Sequence, residues 1–387
     1  MLKLLPFIGV LIMTFLVFFL KTNHFLAGVL FYIFFVLSLY LGFKILNVKN
    51  IKKSVKFYFF GVYIFLLSLE FFLRSFPFLK TYTEKNNLSY KSTFEVYHEG
   101  WYINYPKNHK FYSGRKEFNY KYFTNDLGIL ANNYKEKSTK KKILCLGDSF
   151  TEGVGSPQDS SWPSLLQYKL DEYMPQYYDV INGGISGSDV FFSWKLYKDK
   201  LSCYKPDEII IFINWTDLDD IIIRGTEERF GPNHKLVMKK GPIYERLYMK
   251  SFIFRFIIHK VLQLNYLFIT DSKFKEKQIE ACNVISKKLN EIENLLNKDS
   301  IPMKVVIHPI REELKLNKYF VNCFEKMIEK GGYEKLDLLN YSIENNVFKK
   351  KKDEYFWPYD GHFNSDGYDI VAQSIFDYFY SKKDYHD

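Results

Sequence analysis

The sequence predicts an α/β protein: a three-layer α/β/α domain built on a parallel sheet and preceded by N-terminal transmembrane helices. Three observations carry this reading. From Lys142 onward, short apolar runs alternate with amphipathic stretches, the pattern of successive strand–helix units. Several of those runs are continuously apolar, as in Glu208–Ile213, which is how strands covered on both faces read. The chain also opens with three long apolar stretches, Leu4–Leu20, Phe25–Leu46 and Phe57–Leu73.

A helix rises about 1.5 Å per residue, so about 20 residues cross a hydrocarbon layer of roughly 30 Å. The first stretch has the length of a signal peptide, but no small-residue cleavage site follows it and two further stretches come directly after. Residues 1–77 are therefore expected to form a membrane anchor of three helices. The loop Asn47–Lys56 carries Lys49, Lys52, Lys53 and Lys56 and is assigned to the cytoplasm, which sends everything after the third helix to the outer face. Glu70 lies inside the third stretch. Arg74 follows four residues on, so an interfacial ion pair along one helix accounts for it.

Residues 78–140 are polar and rich in Tyr, Asn and Lys, and are expected to form a small β-rich lead-in. Phe118–Phe123 alternates like an edge strand, and Asn125-Asp126-Leu127-Gly128 is a turn signal. The main domain, 141–387, begins with a strand at Ile143–Leu146. A helix follows from Ser161, read as its N-cap with Pro163 in the first turn, to about Tyr173. Then come a strand at Asp179–Asn182, a helix at Asp189–Leu201 and the strand Glu208–Ile213. An insertion at about 221–270 interrupts the rhythm. Its stretch Tyr248–Leu262 is aromatic, basic and amphipathic, suited to a membrane surface or to packing on the domain. An amphipathic helix is expected at Lys273–Asn297, with Ile279, Ile285, Leu289, Ile292 and Leu296 on one face. Strands at Lys304–His308 and Lys335–Leu339 and a helix at Asp366–Tyr380 close the chain. Lys349–Lys352 reads as a solvated loop, with contact to an anionic substrate as the alternative.

The net charge is +10, from 54 basic and 44 acidic residues. No nucleic-acid-binding motif accompanies it, which argues against nucleic acid as a partner. Cys145, Cys203, Cys282 and Cys323 show no metal-ligand spacing, so no metal is expected, and no cofactor motif is present. One disulfide is possible, but nothing in the spacing singles out a pair. Cys145 sits in an apolar strand and reads as core.

The chemistry centres on Gly147-Asp148-Ser149, directly after the first strand. That geometry presents a serine hydroxyl at the carboxyl edge of a sheet, where open α/β folds place their sites. Serine needs a base and an orienting acid to act as a nucleophile. Asp360-Gly361-His362, far downstream, supplies such a pair.

These residues resemble the blocks of the SGNH (GDSL-type) hydrolases over roughly residues 85–382. Gly147-Asp148-Ser149 matches the first block. Ile181-Asn182-Gly183-Gly184-Ile185-Ser186-Gly187 is similar to the second, with Gly187 at the position of a backbone donor. Ile213-Asn214-Trp215-Thr216-Asp217 stands in place of the third, with Thr216 where the family has asparagine. Asp360-Gly361-His362-Phe363-Asn364 is similar to a form of the last block. The usual spacing there is Asp-x-x-His, which would fall on Tyr359; Asp-x-His occurs in relatives that handle polysaccharide acetyl groups. The resemblance implies a flavodoxin-like sheet, Ser149 as nucleophile, His362 as base and Asp360 as orienter. It implies oxyanion donors from the N–H groups of Ser149 and Gly187, with Asn214 or Thr216 as the third. It also implies a serine esterase or O-acyltransferase acting on O-acyl, chiefly O-acetyl, groups of a cell-envelope carbohydrate. The bilayer would be a partner, as would a membrane protein that hands over acyl groups. Two rival readings stand beside it: a lipid-directed esterase or thioesterase, and a non-catalytic carbohydrate-binding component. Trp215 and Trp357 flank the last two blocks, placed for sugar stacking or for core packing.

Overall fold

In a computed structural model the described residues are 62, 65–66, 68–80, 102, 105–131, 139–237, 244–321, 323–324 and 332–381. The first two apolar stretches and the Asn47–Lys56 loop lie outside them, as does part of the third stretch. Among the described residues no helix is long and apolar enough to cross a membrane. The chain divides into two compact units, Met1–Thr93 with Lys240–Phe274, and Phe94–Lys239 with Lys275–Asp387.

The larger unit holds two sheets. Strands β1 (Lys110–Gly114) and β2 (Asn119–Phe123) form an antiparallel hairpin whose turn is closed by the Arg115 N–H donating to the Phe118 carbonyl at 2.7 Å. Five parallel strands form the main sheet: β3 (Lys141–Leu146), β4 (Tyr178–Asn182), β5 (Glu208–Ile213), β6 (Met303–Ile307) and β7 (Glu334–Asp337). Their spatial order, β4-β3-β5-β6-β7, is the flavodoxin-like order that the sequence implies. The central strands are sealed: Leu144, Cys145, Leu146, Ile209 and Ile210 are buried, as continuous apolar runs require.

The helices are α1 (Ser149–Glu152), α2 (Trp162–Tyr173), α3 (Val190–Asp199), α4 (Trp215–Arg224), α5 (Asp271–Lys298), α6 (Arg311–Leu316), α7 (Leu338–Glu344) and α8 (Ser365–Phe379). The chain steps from β3 to β4 in one direction and then back across β3 to β5. Right-handed crossovers therefore send α2 and α3 to opposite faces, and α8 packs beside α2.

Some expectations shift. Ser161 occupies the N-cap position of α2, but its hydroxyl bonds the Gln158 carbonyl and Ser164 Oγ instead of capping. On α5 the inward face runs through Gln278, Ala281, Cys282, Ile285, Leu289, Ile292 and Leu296, while Ile279 is exposed. One residue is about 100° around a helix, so burying Gln278 turns Ile279 outward. The last strand stops at Asp337, which caps α7 by accepting from the Asn340 N–H at 3.0 Å. Cys282 and Cys323 form a disulfide, with Cα atoms 6.2 Å apart. Cys145 is core, as read from its strand.

In the other unit Glu70 is buried, and its role exceeds the expected pairing with Arg74 (3.5 Å). Its carboxylate accepts the N–H of Phe252 at 2.8 Å, the N–H of Ile253 at 3.0 Å and the Ser251 hydroxyl at 3.1 Å. It thereby satisfies the open amides that start the short helix Phe252–Phe256. A π-turn, Ile257–Val261, continues that helix. Phe252 and Ile258 face inward; Phe256, Ile257, Val261 and Leu262 are exposed. Buried Arg255 gathers the carbonyls of Leu79 (2.9 Å), Tyr248 (2.6 Å) and Met249 (2.6 Å).

Candidate active site

The strand β3 ends in a corner that only glycine fits. A Cβ on Gly147 would lie 2.3 Å from Thr151 Oγ1 and 2.9 Å from the Phe212 carbonyl oxygen. Asp148 follows as N-cap of α1, its Oδ1 accepting the Phe150 N–H at 2.9 Å. Ser149 is thus the first residue of α1, at the carboxyl end of the sheet. It also lies where the strand order reverses between β3 and β5, the position at which such sheets open a crevice.

The downstream pair arrives on the loop before α8. His362 Nε2 lies 2.7 Å from Ser149 Oγ, across 213 residues. On the other side of the ring, Nδ1 is hydrogen-bonded to Asp360 Oδ1. The Asp360 side chain is fully buried. With one intervening residue, Asp and His must fold back on each other. Gly361, at φ +87°, permits this, and its N–H donates to the Trp357 carbonyl at 2.8 Å. Trp357 N–H in turn donates to the His362 carbonyl at 2.9 Å. Phe150 packs on the imidazole, ring centroids 4.7 Å apart.

The second-block loop is stitched to the same corner. The N–H of Ile185 donates to the Gly147 carbonyl at 3.1 Å, and Ser188 Oγ donates to the same oxygen at 2.7 Å. Among the described residues neither the Ser149 N–H nor the Gly187 N–H meets an acceptor. Gly187 sits at φ +76° with its carbonyl held by Arg224.

Asn214 and Thr216 both reach Asp148, the residue before the serine. Asn214 is fully buried; its Nδ2 donates to Asp148 Oδ2 at 2.9 Å, and its Oδ1 accepts the Thr216 N–H at 2.7 Å. The Thr216 hydroxyl lies 3.1 Å from Asp148 Oδ2 and 2.7 Å from Asn214 Oδ1. In this arrangement both side chains brace Asp148. Asn214 also caps α4, where Asp217 Oδ2 accepts the Asn214 N–H at 2.8 Å. Burial pushes the Asp217 carboxyl well up from the usual carboxylate range, and the Asp148 charge pushes it the same way. Asp148 is raised by burial and held back by its bonds to Asn214, Phe150 and Thr216.

Several residues here carried no motif signal. Arg115 Nε, from the hairpin turn, lies 3.4 Å from Asp360 Oδ2. Glu117 accepts the N–H groups of Tyr359 and Asp360, each at 2.8 Å. His308, at the end of β6, is fully buried against Phe212 and Phe150 (centroids 4.2 and 4.5 Å), and burial pushes its pKa down to about 3. Trp357 rests on Phe118 at 5.3 Å and donates Nε1–H to the Gly155 carbonyl at 2.6 Å; Trp215 meets Phe320 edge-on.

No protein-family model matches the chain. A 77-residue segment is 38% identical to an arylesterase of Vibrio mimicus; it spans 20% of this chain and 38% of the relative's length. Among solved structures, a two-domain esterase active on acetylated mannans is 14% identical, covering 63% of this chain and 50% of that one, with a TM-score of 0.37. The acetyl xylan esterase AlAXEase is 18% identical, covering 61% and 98%, with a TM-score of 0.37. LAE5, an alpha/beta hydrolase enzyme from the metagenome of Lake Arreo, Spain, is 13% identical, covering 62% and 96%, with a TM-score of 0.38.

Proposed function

We propose that this chain is a serine-dependent ester hydrolase or O-acyltransferase that acts on O-acyl, chiefly O-acetyl, groups of a cell-envelope carbohydrate. The observation that carries the chemistry is the unbroken path Ser149 Oγ–His362–Asp360 at the carboxyl edge of a parallel sheet. Ser149 Oγ attacks the ester carbonyl carbon and its proton passes to His362 Nε2. Asp360 stays ionised, orients the ring through Nδ1 and stabilises the imidazolium. The N–H groups of Ser149 and Gly187 receive the charge that develops on the carbonyl oxygen. The tetrahedral adduct expels the alcohol, which takes the proton from Nε2. Water or a sugar hydroxyl then attacks the acyl-serine, gives its proton to Nε2, and Ser149 recovers it.

The local likeness to an arylesterase agrees with ester chemistry. The carbohydrate assignment rests on the motif resemblance. In this reading residues 1–77 anchor the chain and the catalytic unit lies outside the cytoplasm. The Cys282–Cys323 disulfide supports an oxidising compartment. The test uses the full chain in detergent, with chromogenic esters from acetyl to decanoyl and the Ser149→Ala variant beside it. Acetyl preference abolished by that substitution is expected. Activity that survives in Ser149→Ala refutes the mechanism, and preference for long acyl chains refutes the acetyl assignment.

A further inference from the structure

The one-residue spacing of Asp360 and His362 leaves the acid on a tight loop, where the His362 N–H donates to Asp360 Oδ1 at 3.3 Å. Contacts from outside the loop also hold it against the imidazole. The antiparallel hairpin does so at four points, all from its turn. Arg115 Nε lies 3.4 Å from Asp360 Oδ2, the oxygen that His362 does not use. Glu117 Oε2 accepts two successive N–H groups, Tyr359 and Asp360, at 2.8 Å each. The Lys116 ammonium sits 4.1 Å from the Tyr359 ring centroid, and Phe118 packs on Trp357.

We infer that the β1–β2 hairpin is a working part of the active site, with Arg115 and Glu117 as positioning residues that clamp Asp360 for His362. The inference rests on the esterase reading above. Glu117 sets the backbone height of Asp360. Arg115 fixes the carboxylate rotation, so that Oδ1 faces Nδ1. Other charges also bear on this pair. Asp148 and His308 face His362 electrostatically, and Glu152 and Tyr122 feel the field of Arg115.

The test compares Arg115→Gln, Arg115→Lys, Glu117→Ala and Glu117→Gln in the full chain, using a chromogenic acetyl ester and phosphonate labelling of Ser149. Misplacing a reacting group by about 1 Å can cost on the order of 100-fold. Arg115→Gln and Glu117→Ala are therefore expected to lower kcat roughly 10- to 100-fold with KM little changed. Arg115→Lys recovers part of kcat; Glu117→Gln, which still offers an acceptor oxygen, stays near wild type. Wild-type kcat in Arg115→Gln overturns the clamp. So does a loss that follows melting temperature alone across the four variants. Should Arg115→Gln fail to fold, the Arg115→Lys and Glu117 pair decide the matter in the same way. Failure of wild-type Ser149 to take the phosphonate sinks the esterase reading and the clamp with it. Equal labelling rates in wild type and Arg115→Gln sink the clamp alone.

Discussion

Asn214 Nδ2 donates to Asp148 Oδ2 at 2.9 Å, tying the end of β5 to the corner that presents Ser149. Both groups are buried, so the bond has no water to replace it. Asn214→Ala removes this donor and the cap of α4 together. A loss of about 2 kcal/mol is expected, from a buried carboxylate oxygen that keeps only the Thr216 hydroxyl as donor and from a missing cap. Urea unfolding measures it, and an unchanged midpoint and slope would show that the tie carries no weight.

Ser149, His362 and Asp360 form one hydrogen-bonded unit, so their substitutions should not add. Ser149→Ala is expected to lower kcat by roughly 10⁴-fold or more, and the double variant with His362→Ala little further. Single-turnover rates on an acetyl ester check this. Multiplicative losses would place the two residues in separate roles.

Asp217 is expected to tilt the stability–pH curve downward on the alkaline side. Its pKa is raised in the folded state, so its contribution is full below the ordinary carboxylate value of 3.8 and is lost as pH rises through the folded value. Asp217→Asn keeps an oxygen for the Asn214 N–H and removes the ionisation. Thermal unfolding across pH 4 to about 8 should therefore show a flatter curve for the variant. Parallel curves would mean that Asp217 ionises freely in the fold.

His308 acts with the opposite sign. Its folded pKa is about 3 against an ordinary 6.5, so between those values the unfolded chain binds a proton that the folded chain refuses. Its contribution is constant above 6.5 and is lost as pH falls toward 3. Among the described residues its Nε2 has no hydrogen-bond partner, and its ring stacks on Phe212. His308→Phe should shift acid unfolding to lower pH, as read by near-ultraviolet circular dichroism. An unmoved acid midpoint would contradict a buried neutral imidazole.

Glu70 supplies the opening amides of Phe252–Phe256 with their acceptors. Glu70→Ala leaves those groups open and should weaken the segment by about 1–3 kcal/mol, the range for bonds to a charged group. Hydrogen exchange at Phe252 and Ile253 is expected to speed up in proportion, while amides of β5 keep their protection. Unchanged exchange at those two amides would rule out the cap.

Much of the sheet was legible because its central strands write their burial into consecutive apolar residues, Ile143–Leu146 and Ile209–Ile213. The Gly147-Asp148-Ser149 corner was legible as the end of such a strand, and the chain turns there into α1. Ends of elements were harder. Ser161 looks like a cap in any local reading, yet its hydroxyl is drawn to the Gln158 carbonyl by the turn before it. The inward face of α5 is set by what it packs on, so a polar Gln278 displaced the more apolar Ile279.

Local chemistry therefore settles which residues become strands and helices, since burial and backbone propensity act over a few neighbours. Packing alone settles who meets whom. Arg115 and Glu117 look like ordinary surface charges until the hairpin lands on the Asp360 loop, about 240 residues away. Asn214 and Thr216 meet Asp148 only because the sheet sets the end of β5 beside the end of β3. Such pairings gain their energy only after the chain has closed long loops, and no stretch of neighbouring residues records that closure.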